Sequence, residues 1–103
     1  MTSTTERVRE LNDALRTQEY VISALGDFIV TCGVTDHGAE FVTRAVHAVR
    51  YYSDFTPEND PHGEHDFGAF EIDGEKLFWK IDDDDQDPTC TRRVLTIFLA
   101  DEY

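Results

Sequence analysis

The stretch FGAFEIDGEKLFWKI, residues 67–81, decides the fold. Apolar-rich runs lie on both sides of Asp73 and Gly74, and an Asp-Gly pair in that position is a strong signal for a two-residue type I′ turn, because both central residues need positive φ. We therefore predict a β-hairpin. Its second strand would place Leu77, Trp79 and Ile81 on one face and Lys76, Phe78 and Lys80 on the other.

The first strand of this hairpin has a less regular pattern. Strict alternation places Phe67 and Ala69 on one face and Phe70 and Ile72 on the other. Because the large apolar residues change sides along the strand, the pattern predicts a register break or a bulge near Gly68.

An amphipathic helix is predicted at the beginning of the sequence. Apolar residues recur there at helical spacing, with Leu11 and Leu15 one turn apart. Ser3 and Glu6 have the spacing of a capping box, in which each side chain binds a free backbone amide of the first turn. These features predict a helix over 4–16.

A strand and a second helix are predicted between the first helix and the hairpin. The glycine-flanked run GDFIVTCGV indicates a strand over 28–34, with Cys32 buried inside it. Cys90 is expected in a loop, and the spacing of the two cysteines matches no metal or redox motif. A helix over 37–52 would carry a broad apolar stripe, formed by Phe41, Val42, Ala45, Val46 and Val49.

The rest of the chain completes an α+β fold. Residues 53–66 contain two prolines and no periodicity, which predicts a loop, and a second loop is predicted over 82–88. The run RRVLTIFLA, 92–100, is a strand or a helix begun at Pro88, and its β-branched residues favour the strand. The order α–β–α–β–β–β predicts one domain, 1–103, with a small antiparallel sheet of about four strands and two helices packed on one face.

Three segments of the sequence resemble an uncharacterised bacterial family, domain of unknown function 3768. They are RVRELNDALR, DFTPENDPHGEHDFGAFEIDGEKLFWKID and TRRVLTIFLADEY, and NDPHGEHDFGAFE is the most specific part. Members of that family typically have a longer insertion after the FWKID strand, which here is shortened to DDDQDPTC. The resemblance implies a small bacterial or mobile-element domain, and it brings no established activity and no catalytic residues.

The sequence is strongly acidic, and the charge is unevenly distributed. Twenty-two acids against nine bases give a net charge of −13. Residues 1–53 contribute −2 and residues 54–103 contribute −11. Such a field repels nucleic acids and anionic membranes and attracts basic surfaces, so direct nucleic-acid binding is disfavoured.

Thirteen acids of the second half are the candidate partner-binding residues. If the hairpin and its flanking loops lie on one side of the molecule, these carboxylates share one region and approximate the charge density of a nucleic-acid backbone. They are Asp54, Glu58, Asp60, Glu64, Asp66, Glu71, Asp73, Glu75, Asp82, Asp83, Asp84, Asp85 and Asp87.

The segment HGEHD has both a metal-binding and a structural interpretation. His62, Glu64, His65 and Asp66 are all capable of binding a metal, but two histidines at i, i+3 in a loop do not form the helical H-E-x-x-H motif. Structurally, Asp60, Glu64 and Asp66 can bind backbone amides and hold an irregular loop in shape. The structural interpretation is favoured.

These features predict an inhibitor that mimics nucleic acid, of the anti-CRISPR or anti-restriction type, and that blocks the DNA-binding groove of a bacterial defence complex. Its partner would be a basic nucleic-acid-binding protein. The alternatives are an acidic adaptor that does not compete with DNA, and a metal-binding module at the HGEHD segment. We find no nucleophile motif, P-loop or dinucleotide fingerprint, and we expect neither an enzyme nor a cofactor.

We further expect a cytoplasmic protein, since neither a signal peptide nor a membrane-spanning run is apparent. Faces that carry Phe78 or Phe98 would support a dimer if the acids pointed away from the contact. Self-repulsion at −13 favours a monomer.

Overall fold

The structure is a computed structural model that describes residues 4–17, 26–83 and 93–102. The described part of the chain forms three helices, four strands and a final 3₁₀ turn. The elements, in chain order, are α1 (Thr4–Thr17), β1 (Gly26–Val30), α2 (Cys32–Thr35), α3 (Ala39–Arg50), β2 (Phe67–Ile72), β3 (Glu75–Asp83), β4 (Arg93–Leu99) and the 3₁₀ turn (Ala100–Glu102).

The four strands form one sheet in the order β1-β4-β3-β2. β2, β3 and β4 are antiparallel neighbours, whereas β1 pairs with β4 in parallel, from Gly26 opposite Arg93 to Val30 opposite Ile97. The α+β class and the small four-stranded sheet are confirmed, but the sheet is mixed rather than antiparallel. The chain leaves β1 through α3 and returns to it only after the hairpin, and a long crossover of this kind is what permits parallel pairing.

The hairpin forms where the sequence predicts it. Asp73 and Gly74 have φ of 53° and 82°, as a two-residue turn with two left-handed positions requires. The predicted bulge is wrong, because the pairing of β2 with β3 runs without interruption from Phe67 opposite Lys80 to Ile72 opposite Glu75.

Gly68 has a packing role instead. It lies opposite Trp79 in the sheet, and a Cβ built on it would collide with the indole nitrogen of Trp79 and, at 2.7 Å, with the ring of Tyr52. The break in the apolar pattern of β2 therefore marks the position where the Trp79 indole packs directly on the strand backbone.

One face of the sheet and all three helices enclose the hydrophobic core. Leu77, Trp79, Leu95 and Ile97 are fully buried on the sheet side. The helices cover them with a set of buried apolar side chains: Leu11 and Leu15 from α1, Val34 from α2, and Phe41, Ala45 and Val49 from α3. The prediction that the helices pack on one face is confirmed. None of the described helices is long and apolar enough to cross a membrane.

Several boundaries differ from the sequence prediction, among them those of the second long helix, because α3 covers Ala39–Arg50 rather than 37–52. β1 ends at Val30, so the expected strand over 28–34 is wrong in its second half, and Cys32 is exposed at the start of α2 rather than buried in a strand. The backbone turns at Thr31, whose carbonyl accepts the amide of Thr35 at 2.9 Å. Cys90 and Ser3 lie outside the described residues.

The strand interpretation of 92–100 is confirmed by β4, which covers residues 93–99. The expected loop over 82–88 begins later than predicted, because Asp82 and Asp83 are the last residues of β3 and pair with Val94 and Arg93. Main-chain hydrogen bonds to β4 outweigh the poor strand propensity of aspartate at these two positions.

Candidate functional site: the clamped loop and the acidic surface

The loop 53–66, which contains the HGEHD segment, is held against the polar side of α1. Arg9 Nη1 donates to the carbonyl of Gly63 at 3.2 Å, and Asn12 Nδ2 donates to the carbonyl of Glu64 at 2.9 Å. Gly63 and His65 both have positive φ, 65° and 53°, so the loop makes a tight turn here. Two side chains of α1 therefore hold the loop by its main-chain carbonyls. These two contacts do not depend on which side chains the loop carries at Gly63 and Glu64.

Asp60 organises the same turn from inside the loop. Its Oδ1 accepts the backbone amides of Glu64 and His65, both at 3.2 Å, and its side chain is only 6% exposed. Asp60 is predicted from the sequence both as a structural acid of this loop and as a partner-binding acid. The geometry assigns its carboxylate the structural task.

His65 lies between two carboxylates and an aromatic ring. Its Nδ1 is 3.0 Å from Asp13 Oδ1, and because a carboxylate only accepts, this nitrogen donates. Its Nε2 is 3.6 Å from Asp60 Oδ2. The imidazole stacks on Phe55 with a centroid distance of 3.7 Å and an interplanar angle of 5°. Both ring nitrogens thus face groups of the protein itself.

Arg16 connects α1 to the end of α3. Its Nη1 donates to the carbonyls of Val49 and Tyr52, at 2.9 Å and 2.7 Å, and its Nη2 donates to Asp13 at 3.1 Å. The last carbonyls of a helix have no partner within the helix, and a cation there also interacts favourably with the helix dipole. The guanidinium lies 5.3 Å from the ring centroid of Phe55, which adds a cation–π contact.

Asn12 and Arg93 form a buried polar pair between α1 and β4. Each is 1% exposed, and Arg93 Nε donates to Asn12 Oδ1 at 2.7 Å. Since an unpaired buried guanidinium is strongly destabilising, this contact fixes the position of α1 over the end of the sheet.

Tyr52 connects the loop 53–66 to the sheet. Its ring packs edge-on against Trp79, and its hydroxyl donates to the carbonyl of Asp54 at 3.2 Å. Burial raises the pKa of Tyr52 above its ordinary value of 10.0, so the hydroxyl remains a donor at neutral pH.

No metal site appears in the part of the chain that the structure describes, where no three His, Cys, Asp or Glu side chains are arranged around a common point. Within the predicted set, His62 is exposed, and His65 faces Asp13 and Asp60. The arrangement orients a histidine and holds a loop in shape.

The α1 side chains of this site were not predicted from the sequence. Asn12 and Arg16 are one helical turn apart and directly follow the apolar residues Leu11 and Leu15. Polar residues so placed lie at the border of the buried face, and this spacing was the signal that could have identified them as buried partners.

The predicted acids fall into two groups at opposite ends of the hairpin. We call Glu71, Asp73 and Glu75 the tip acids, because they surround the turn. The amide of Ile81 donates to the carbonyl of Asp66 at 2.8 Å, which places the end of the loop at the other end of the hairpin. We call the acids at that end the loop-side acids: Asp54, Glu58, Asp60, Glu64, Asp66 and Asp82.

The separation of the two groups follows from the strand length. Glu71 itself lies in β2, so four residues of that strand, 67–70, separate it from Asp66, and at about 3.3 Å per residue the distance from Asp66 is roughly 17 Å to Glu71 and 23 Å to Asp73. The described acids therefore do not form one continuous region. Among the tip acids, Asp73 pairs with Arg44 at 2.8 Å.

The loop-side acids include several well-exposed carboxylates. Asp54, Glu58 and Asp82 are exposed, and Asp82 lies 3.6 Å from Lys80 Nζ on the same strand. Asp83 has its backbone at this end of the sheet, opposite Arg93. The remaining predicted acids, Asp84, Asp85 and Asp87, lie outside the described residues.

The comparisons with known proteins agree with the resemblance noted in the sequence. The model of the family described as "Protein of unknown function (DUF3768)" matches residues 30–102. The chain belongs to this family. No curated protein and no solved structure shows a significant similarity to it.

Within DUF3768, the matched residues cover the loop 53–66, the hairpin and β4, but not α1. The resemblance of residues 7–16 therefore lies outside the match. The α1 side chains that clamp the loop, Asn12, Asp13 and Arg16, are consequently features of this chain rather than of the matched segment.

Proposed function

We propose that this DUF3768 chain is a non-catalytic inhibitor that occupies the nucleic-acid-binding groove of a basic partner, of the kind found in bacterial defence complexes. The observation that supports the proposal is the charge of −11 carried by residues 54–103, together with the exposure of Asp54, Glu58 and Asp82 at one end of the sheet. We assign the recognition surface to the loop-side acids other than Asp60, and to the run Asp82–Asp85.

Electrostatics gives the mechanism. A groove lined by Lys and Arg is shaped for phosphates about 3.4 Å apart along each strand, and a dense set of carboxylates competes for the same cations. Long-range attraction between oppositely charged surfaces raises the association rate and makes binding sensitive to salt. The clamped loop contributes rigidity, because Asp60 and α1 hold its backbone before any partner arrives.

The test is competition with DNA. Affinity capture from the native host supplies the partner, and duplex DNA is then titrated against the complex. We expect DNA and this chain to exclude each other, and we expect reversal of Asp82, Asp83, Asp84 and Asp85 to lysine to abolish inhibition while the far-UV circular dichroism stays unchanged.

Charge reversal of the tip acids Glu71, Asp73 and Glu75 is the matched control, since it removes a similar number of negative charges at the other end of the hairpin. Equal loss of inhibition in both variants would mean that inhibition depends on the net charge of the chain and not on the position of the acids. Full inhibition by the Asp82–Asp85 variant would contradict the proposal.

The separation of the acids into two groups favours one alternative function, an acidic adaptor that binds a basic protein without displacing DNA. Two anionic patches roughly 20 Å apart fit two separate basic sites as well as one groove. The same titration distinguishes the two functions, because an adaptor forms a ternary complex with its partner and DNA.

A further inference from the structure

The two ring nitrogens of His65 face carboxylates that belong to different parts of the fold. Nδ1 is 3.0 and 3.1 Å from the two carboxylate oxygens of Asp13 on α1, and Nε2 is 3.6 Å from Asp60 Oδ2 inside the loop 53–66. A neutral imidazole has one N–H donor and one lone pair, and a carboxylate only accepts. In the neutral ring, whichever tautomer is present, one lone pair therefore points toward a carboxylate.

Protonation of His65 removes this conflict. The imidazolium carries N–H on both nitrogens, so it donates to Asp13 and attracts Asp60 at the same time. The ring also lies parallel to Phe55 at a centroid distance of 3.7 Å, where a cation interacts favourably with the aromatic face. A proton on His65 thus converts a repulsive contact into a link between α1 and the loop.

The charges around the imidazole balance only when His65 is protonated. Asp13 and Asp60 supply two negative charges, and Arg16, whose Nη2 is 3.1 Å from Asp13 Oδ1, supplies one positive charge. The second positive charge comes from the imidazolium. Deprotonation therefore leaves one excess negative charge in a partly buried cluster, where charges are screened less than at the surface.

Other ionisable groups lie on the elements that pack against His65. Arg9 binds the carbonyl of Gly63 at 3.2 Å, and Tyr52 stays neutral because burial raises its pKa above 10.0. His62 is an exposed histidine of the same loop, which makes it a matched control. Two further acids, Glu64 and Asp66, are the chain neighbours of His65.

The carboxylate of Asp60 couples the imidazole to the loop backbone. Its Oδ1 accepts the amides of Glu64 and His65 at 3.2 Å, and its side chain is only 6% exposed, so it cannot turn toward solvent while these bonds hold. The side chain of His65 is 23% exposed, which gives protons access to the ring. Repulsion at Oδ2 therefore acts on the group that shapes the turn.

From this geometry we propose that His65 is a pH-sensitive latch, whose protonation holds the turn at Glu64 and His65 closed on α1 and whose deprotonation increases its local opening. The closed turn uses a proton that the open turn does not need, so closure is favoured at low pH and weakens as the pH rises through about 5 to 8, where imidazoles titrate. Arg9 and Asn12 keep their contacts to the loop throughout, because neither side chain titrates in this range.

The latch concerns the loop itself and does not depend on the proposed function. If the loop-side acids do bind a basic partner, the latch sets how rigidly the loop presents Asp54 and Glu58. Its test therefore measures the loop in the isolated chain, without a partner or DNA.

Hydrogen exchange of single amides, followed by NMR at about pH 5.5 and pH 8, tests the latch. Protection factors are compared, since they remove the intrinsic pH dependence of exchange. We expect the protection of the Glu64 and His65 amides to fall at least about fivefold at the higher pH, because the Asp60 bonds open more often. The Thr31 amide, bound to the carbonyl of Ile97 at 3.1 Å in the sheet, should change by less than about twofold.

Three variants assign the pH dependence to His65. His65→Asn keeps a residue that tolerates the positive φ of 53° but does not titrate, and it should lose the fall in protection at Glu64. Asp60→Asn keeps an oxygen for the two amides and gains an N–H that can donate to the neutral imidazole, so protection at pH 8 should equal or exceed that at pH 5.5. His62→Gln should behave like the unaltered chain.

Several results would overturn the latch. One is protection at Glu64 and His65 that does not fall with pH in the unaltered chain. Another is an undiminished fall at Glu64 in His65→Asn or Asp60→Asn, and a third is loss of the fall in His62→Gln. An equal fall at Thr31 would show that pH changes the stability of the whole fold rather than of the turn.

Discussion

Asp13 is the residue on which the clamp depends. Its carboxylate accepts from His65 Nδ1 and from the nearly buried Arg16, and it lies on α1, whereas the loop that it holds is about fifty residues away in sequence. Asp13 and Arg16 are an i, i+3 pair on α1, but no local pattern connects them to His65. The packing of the loop 53–66 against α1 brings the three side chains together.

We expect Asp13→Ala to destabilise the fold by about 1–3 kcal/mol, because it leaves donors of His65 and Arg16 without their acceptor. Urea denaturation followed by circular dichroism measures the loss. Glu10→Ala is the control on the same helix: its carboxylate is 57% exposed and pairs with the exposed Arg7 at 3.5 Å, so its removal should cost less than about 0.5 kcal/mol. Equal effects of both variants would contradict the clamp.

The requirement for glycine at position 68 also comes from the tertiary structure. We expect Gly68→Ala to destabilise the protein by about 2–3 kcal/mol, because the methyl group would occupy space that the Trp79 indole and the Tyr52 ring already fill. Gly74→Ala is a suitable comparison, since it has positive φ but no atom within 4 Å of the added carbon, and it should cost about 1 kcal/mol from backbone strain alone. Thermal unfolding with tryptophan fluorescence reports both.

At the scale of the elements, the final 3₁₀ turn is attached to the start of α2 through Glu102. Its carboxylate accepts the hydroxyl of Thr31 and the amides of Leu99 and Gly33, at 2.6, 2.8 and 3.2 Å. The hydrogen bond from Thr31, followed by those from the Leu99 and Gly33 amides, lowers the pKa of Glu102 below its ordinary value of 4.5. The carboxylate of Glu102 thus caps α2, the short helix that replaces the second half of the predicted strand.

This attachment predicts a pH dependence of known sign. Since the pKa is lower in the folded than in the unfolded chain, the stabilisation is complete above pH 4.5 and is lost as the pH falls through the folded pKa. Glu102→Gln should therefore show a smaller decrease in unfolding free energy below pH 4.5 than the unaltered chain. Asp101→Asn, at the exposed neighbouring residue, is the control. Parallel pH profiles for the unaltered chain and Glu102→Gln would refute the attachment.

The elements themselves were largely predictable from the sequence. The Asp73-Gly74 turn, α1, α3 and β4 follow from local rules of φ preference and periodicity, which act within a few residues. The end of β1 at Val30 and the extension of β3 to Asp83 did not follow. The end of β1 depends on the Glu102 carboxylate, which binds Thr31 from 71 residues away. The extension of β3 depends on the pairing of Asp83 with Arg93.

At the scale of the whole molecule, a net charge of −13 on 103 residues acts against the compact state. We expect sodium chloride to stabilise the protein. Between low salt and about 0.5 M, screening should add on the order of 1 kcal/mol, or about 4–8 °C in melting temperature. Differential scanning calorimetry measures the shift.

The variant with Asp82, Asp83, Asp84 and Asp85 changed to asparagine is the control for this prediction. It should begin at a higher melting temperature and gain less from salt, because four of the repelling charges are absent. A melting temperature that does not respond to salt in the unaltered chain would show that the acids are already balanced within the fold.

The sequence by itself determined the class of fold, the hairpin, the family and the excess of negative charge. These properties depend on composition and on short-range patterns, which can be read without knowing which segments meet. Only the tertiary structure decided that β1 runs parallel to β4, that Asp60 and His65 belong to a clamp formed by α1, and that the described acids of the loop and the hairpin turn lie at two ends of the hairpin. Each of these depends on contacts between residues far apart in the chain, whose positions are set by packing of the core rather than by local preference.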